Sequence, residues 1–433
     1  MMPDTGITDR FLERYRARFE ISGDGAPDPM AELRRRAIDQ FVATGVPVKS
    51  EAWKYTNIAR ILKEDLPDVE IEQEGNVAEH IPDCTGWTAV CVNGRFRSDL
   101  SNLPDEPGVV VSGLADALSK DPTLASSHLG AYADIEDEAL VALNTAFATD
   151  GVFIQIADGI SVAEPIHLIN LVKSPNAVIA QVRHLVIVGA NAKVSVIEHD
   201  IAIVGRGTFT NSVFEATIGE NGLLKHYRLQ EKQNADHVDS TYVRQAAHSA
   251  YRSCTVATGI GIVRNNVSVR LAGESCETTL LGLCLGGLES HIDTYTLIDH
   301  AEPNCLSNEL YKSILCDSAT STFRGKLLVR KDAQQTRAFQ SNRNLLLSED
   351  AVANSLPQLE IFADDVKCSH GATTGVLDQE ALFYLRTRGI PRPQARRMLI
   401  EAFVDEVVNE ITDDSVRTRI DEILHSFLKR AAL

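Results

Sequence analysis

The sequence predicts a mainly β chain with helical ends. We read a mostly helical region over 1–150, a β core over 151–376 and a second helical region over 377–433. Three observations carry this. From about 152 to 348 the chain is a succession of short runs rich in Val, Ile, Thr and Leu, separated by turn residues. Apolar residues at helical spacing occur only on either side of that stretch. A turn of small residues followed by a short strand recurs loosely, as GANAKVSVIE (189–198), GENGLLKHYRL (219–229), AGESCETTLLGL (272–283) and DSATSTFRGKL (317–327). Many short strands without intervening helices suit a sandwich, a barrel or a β-solenoid. Small residues recurring at corners favour the solenoid.

The N-terminal segments DRFLERYRARFEI (9–21) and MAELRRRAIDQFVATG (30–45) repeat apolar residues at helical spacing, and the second ends at a glycine stop. SEAWKYTNIARIL (50–62) is aromatic and amphipathic, and EDEALVALNTAFATDG (136–151) reads as a helix ending at Gly151. Beyond the β core, LDQEALFYLRTRG (377–389) has Asp378 as N-cap, Glu380 in its first turn and Gly389 as its stop. PRPQARRMLIEAFVDEVVNEI (391–411) carries Leu399, Phe403, Val407 and Ile411 four residues apart, with Ile400, Val404 and Val408 alongside. These form one broad apolar face. DDSVRTRIDEILHSFLKRAAL (413–433) is a third amphipathic helix.

The formal net charge is −18. That excludes a general nucleic-acid binder, which needs a basic patch to release counterions from phosphates. No run approaches the ~20 apolar residues of a membrane span, and MMPDTGITDR has no signal-peptide core. A soluble cytoplasmic protein is expected. The eight cysteines form no CxxC pair, and reduced, mostly buried thiols are expected.

Absent motifs narrow the chemistry. There is no GxxxxGK[ST], and FRGKLL (323–328) lacks both its first glycine and its hydroxyl, so no nucleotide is expected on this chain. No GxGxxG follows a strand, and neither HExxH nor GxSxG occurs. Asp364 and Asp365 are adjacent, so on a strand they point to opposite faces and cannot converge as glycosidase carboxylates.

DDVKCSHGAT (364–373) is different. If extended, Cys368 and His370 stand at i and i+2 and project from one face, while Gly371 lets the chain turn. A histidine beside a thiol can favour the thiolate, the form that ligates metal or attacks sulfur. A closed zinc site needs four ligands, and iron–sulfur clusters take thiolates with an occasional histidine. Two groups make half a site, to be completed by distant residues or by another subunit. His300 and Cys305, in DHAEPNC (299–305), read as a turn with a buried thiol.

The stretch PQLEIFADDVKCSHGATTGVLDQEALFYLRTRGI (357–390) resembles the signature of the SufB/SufD family of iron–sulfur cluster assembly scaffolds. LYKSILCDSATSTFRGKLLVRKDAQQTRAFQSNRNLLLS (310–348), SEAWKYTNIARIL and LNTAFATDGVFIQIADG (143–159) extend the likeness over most of the chain, most densely from 290 to 405. The DVKCSHGAT form resembles the SufD branch. Ser355 and Leu356 depart from the threonine and charged residue that many relatives carry before Pro357. The resemblance implies a right-handed parallel β-helix between helical ends. It implies a scaffold that is not itself an enzyme and that pairs with a SufB-like paralogue, or with itself when alone. It further implies a SufC-like ATPase docked on the C-terminal helices, partly through Leu399, Phe403 and Val407, and sulfur from a cysteine desulfurase system. Cys368 and His370 would then be metal ligands, a half-site at the SufB-like interface for a transient nascent iron–sulfur cluster. The other readings are a structural β-solenoid without a cluster role and a polysaccharide-acting β-helix protein.

Overall fold

The computed structural model describes residues 5–20, 28–47, 50–69, 76–204, 207–232, 235–259 and 261–431. The ends of two expected helices, at Ile21 and at 432–433, lie outside them. Two sheets run along the chain, one of ten strands and one of nine. From Ile166–Ser174 onward, successive strands alternate between the two sheets. Their registers are parallel throughout, so that Ala250, Glu277, Leu306, Arg337 and Lys367 lie side by side on successive coils. This is the expected parallel β-solenoid with helical ends. Inward-facing Val186, Ala216, Val243, Val269, Ile298 and Leu327 stack into a continuous apolar core.

One corner explains the recurring small turns. Asn191, Asn221, His248, Ser275, Asn304 and Gln335 occupy it on successive coils, each with φ between 56° and 62°. Each N–H donates to a carbonyl of the next coil: Asn191 to Glu220, Asn221 to Ala247, His248 to Glu274, and so on to Gln335 and Asp365. Coils approach so closely here that a Cβ on Gly273 would lie 2.1 Å from the Ala247 nitrogen. The first three turn motifs belong to this corner. The fourth differs, because Asp317 (φ 54°) stacks with Leu288 at another corner.

The N-terminal region is less helical than its periodicity suggests. Helices Thr5–Tyr15, Ala31–Thr44 and Ala139–Phe147 are present, but Trp87–Val92 and Val109–Gly113 are strands that join the two sheets. Ala139–Phe147 is buried along its whole length. The SEAWKYTNIARIL segment forms two short turns, Glu51–Trp53 and Ala59–Leu62. It clamps onto the solenoid: the Arg264 guanidinium lies 3.8 Å from the Trp53 ring centre and donates to the Ala52 carbonyl at 2.9 Å.

At the other end, helices Gln379–Thr387, Arg392–Val408 and Asp414–Arg430 follow the last coil. The Asp378 side chain accepts from the N–H groups of Glu380 and Ala381, which fixes the first helix start as expected. The apolar faces of the other two helices cover the outer face of the ten-stranded sheet, against Ile197, Leu229, Leu283 and Ile314. The stripe expected to dock a partner lies in this internal contact. Val407 is fully buried, and Leu399 and Phe403 are partly buried against the same cluster. The buried Lys312 ammonium donates to the Phe403 carbonyl at 2.7 Å and sits 4.5 Å from its ring centre. Burying this face on the chain's own sheet removes the cost of leaving it in water. Among the described residues, no helix is long and apolar enough to cross a membrane.

Candidate functional site

Lys367–Gly375 is the last strand of the ten-stranded sheet, and Val352–Ile361 is the last of the nine-stranded one. Each is paired on one side only, with Arg337–Leu346 and Thr320–Val329 respectively. Along a parallel strand, successive residues direct their backbone groups to opposite sides. The Lys367 N–H donates to the Thr336 carbonyl at 2.9 Å, toward the preceding coil. Those of Cys368, His370 and Ala372 therefore point to the free side. A Cβ placed on Gly371 or Gly375 would meet nothing within 4 Å. An open strand edge of this kind is a template for another strand.

Cys368 and His370 lie on this strand, as the extended reading of DVKCSHG requires. Cys368 pairs with Ala338 and His370 with Gln340, both of which are buried. The two ligand-type residues therefore continue inward-facing columns up to the mouth of the solenoid. Cys368 is half-buried and packs toward Ala363 and Val366, whereas His370 is exposed. Burial pushes the Cys368 thiol above its ordinary value, opposed by a hydrogen bond with the Ala338 backbone. Within this chain, partial desolvation disfavours the thiolate that the sequence reading anticipated. Among the described residues, no third histidine, cysteine or carboxylate clusters with this pair.

The column beneath His370 is polar. Gln340 stands next, then Glu309, and the Gln340 amide donates to the Glu309 carboxylate. Burial raises Glu309 to about 7, against the opposing hydrogen bond from Gln340. A carboxyl that exchanges its proton near neutrality thus lies two coils below the mouth.

Around the open end, Phe339, Val352, Ile361, Phe362 and Val376 expose apolar surface, with Phe362 63% and Val376 70% accessible. Exposed apolar side chains of this kind are what interaction surfaces show when they are contiguous. A second exposed group, Phe383, Tyr384 and Met398, lies on the first two C-terminal helices beside Arg388, whose guanidinium donates to the Tyr384 hydroxyl at 3.1 Å. His300 and Cys305 form no ligand pair. Cys305 is buried in a turn, and His300 is hydrogen-bonded to the Ser307 hydroxyl at 2.9 Å.

A parallel solenoid whose final coil is bare, with a thiol and an imidazole at its mouth, belongs to a definable class. Residues 170–403 match the family described as SUF system FeS cluster assembly, SufBD core domain, and residues 5–168 match the SufBD protein N-terminal region. The chain therefore belongs to the SufB/SufD family. It is 32% identical to an iron–sulfur cluster assembly SufBD family protein of Synechocystis, over 95% of this chain and 94% of that protein. Its identity to the iron–sulfur cluster assembly protein SufD of Escherichia coli is 29%, over 94% and 95%. A chloroplastic protein of Arabidopsis thaliana, ABCI7, is 30% identical over 95% and 89%. The likeness thus runs through both helical ends as well as the 290–405 stretch.

Proposed function

We propose that this chain is a SufD-type, non-ATPase scaffold subunit that assembles nascent iron–sulfur clusters with a SufB-like paralogue and a SufC-like ATPase in the cytoplasm. The carrying observation is the bare last coil bearing Cys368 and His370. A partner strand adds along Lys367–Gly375 by main-chain hydrogen bonding, and the apolar rim is buried in the same step. The partner then brings the remaining ligands to the mouth. The cluster is cargo: a thiolate and an imidazole from one side hold it incompletely, which makes release to a recipient easy. Sulfur arrives from a cysteine desulfurase system. In the absence of the paralogue, the same edge accepts a second copy of this chain. The ATPase docks on Phe383, Tyr384 and Met398, since Leu399, Phe403 and Val407 are engaged internally.

The test is the iron and acid-labile sulfide content of the complex co-expressed anaerobically with SufB- and SufC-like partners. Wild type is compared with the Cys368→Ser/His370→Ala double variant, after confirming that both complexes assemble. Cluster content is expected to collapse while the subunits remain together. Unchanged content would make the pair structural and move the chemistry to the partner.

A further inference from the structure

The six buried cysteines are enclosed by the fold, but two of the eight are half-buried, Cys368 and Cys84. Cys84 lies just before the strand Trp87–Val92, at the capped end of the ten-stranded sheet. His167 and His199 stand on the next two strands of that sheet, Ile166–Ser174 and Lys193–Val204. Their register pairs His167 with Ile197 and Ile169 with His199, so the two imidazoles are diagonal neighbours on one face. That face points outward, because Ile166 and Leu168 point into the core. The three side chains meet there. The His167 Nδ1 lies 3.0 Å from the His199 Nε2, the Cys84 Sγ lies 3.9 Å from the same nitrogen, and all three ligand atoms lie within 4.8 Å of one another.

We propose that Cys84, His167 and His199 form a second metal site, binding a divalent transition cation of the Zn2+ type with an open fourth position. A tetrahedral centre with metal–nitrogen bonds of about 2.0–2.1 Å and metal–sulfur bonds of about 2.3 Å sets its ligand atoms roughly 3.3–3.6 Å apart. The observed spacings bracket that range. One thiolate and two imidazoles are a borderline-soft set, which suits Zn2+ and Fe2+ and disfavours Mg2+ and Ca2+.

The surroundings support ligation. The His167 Nε2 lies 2.9 Å from the Thr85 carbonyl oxygen, and only a protonated Nε2 can donate to it. That bond leaves the Nδ1 lone pair facing the other two groups, the outer-shell arrangement usual for metal-bound histidine. The cluster opens into a cleft of about 710 Å³ between residues 79–85 and the helix Asp414–Arg430, lined also by Asp83, Glu231 and Glu422. This cleft gives an entry path and leaves room for water or a substrate atom at the fourth position. On binding, the Cys84 thiol proton leaves to solvent as the metal–sulfur bond forms. The nearest strand of the site, which carries His199, is six strands from that of Cys368 in the same sheet, ~29 Å at 4.8 Å per strand.

The full chain, stripped of metal and reduced, is titrated with Co2+ and then with Zn2+. One equivalent of Co2+ is expected to produce the ultraviolet charge-transfer band of a cobalt–thiolate bond together with tetrahedral visible bands. Zn2+ should displace it and raise the melting temperature. Cys84→Ser should abolish the charge-transfer band, and His199→Asn should weaken binding at least tenfold, with far-ultraviolet circular dichroism confirming that both variants fold. Cys368→Ser/His370→Ala should leave the spectrum unchanged, which separates this site from the open mouth. Absence of the band in folded wild type, or its retention in Cys84→Ser, would overturn the proposal and leave the cluster a hydrogen-bonded packing contact.

Discussion

The two ends of the solenoid are built to opposite rules. At the N-terminal end both sheets are closed by antiparallel strands: Arg95–Phe96 folds back on Trp87–Val92, and Val109–Gly113 lies against Val152–Ile156. The buried helix Ala139–Phe147 packs on the neighbouring strands Ile179–Val188 and Thr208–Ile218. At the C-terminal end, Lys367–Gly375 is exposed along nearly its whole length and has no covering strand among the described residues. Open edges invite aggregation, and proteins ordinarily block them with charge, proline or a bulge. Here one edge is blocked and the other is left bare beside Cys368 and His370. Under the proposed function, the contrast assigns stability to the closed end and association to the open one.

The largest expected effect comes from blocking the open edge. Ala372→Pro removes a donor that points away from the preceding coil, so it leaves that ladder intact. The variant should keep the wild-type melting temperature and lose binding to the SufB-like partner at least a hundredfold, read by co-purification and titration. Normal association would show that partners do not meet along this strand.

A change between the two ends should act on stability alone. Glu309 carries a folded-state value of about 7, raised from its ordinary 4.5. The folded chain therefore binds more protons than the unfolded chain between those values. This contribution to stability is complete below pH 4.5 and is lost as pH rises to 7. The shift corresponds to about 3 kcal/mol. Glu309→Gln should flatten this fall, so that the variant gains on wild type by about that amount from pH 4.5 to 8 in urea unfolding. An unchanged pH dependence would mean that water reaches the carboxyl.

The smallest effect belongs to the closed end. Asn93 and Gly94 turn the hairpin that closes the ten-stranded sheet, with φ of 52° and 78°. A Cβ at Gly94 would lie 2.6 Å from the Gln181 carbonyl oxygen. Gly94→Ala should cost about 2 kcal/mol, lowering the urea midpoint while partner affinity stays unchanged. Loss of association from this change would erase the division between the ends.

Much of this architecture is legible in the sequence because it is periodic. The solenoid appears as short runs between small turns, and the C-terminal helices appear as apolar residues four apart, the first opened by its N-cap Asp378. Trp87–Val92 and Val109–Gly113 are not legible in the same way, since short strands amid helical text carry too few residues for a period to stand out. Cys368 and His370 stand two residues apart in the chain, so their shared face follows from strand alternation. Cys84, His167 and His199 are separated by whole coils, and only register brings them together. The available signal was two histidines at outward positions of neighbouring strands, but finding it requires knowing which strands are neighbours. The partner stripe is ambiguous for a related reason: an apolar helix face reports that something covers it, not whether the cover is the same chain.

The left-handed corner carries one more consequence. Each residue from Asn191 to Gln335 binds forward, to a carbonyl of the coil that follows it. The stack is therefore a directional polymer with a growing tip, and every coil is finished only by its successor. The coil at Lys367 has no successor among the described residues. Nothing in the repeating chemistry tells the stack to stop, so its tip carries the unfinished half of the same hydrogen-bond pattern.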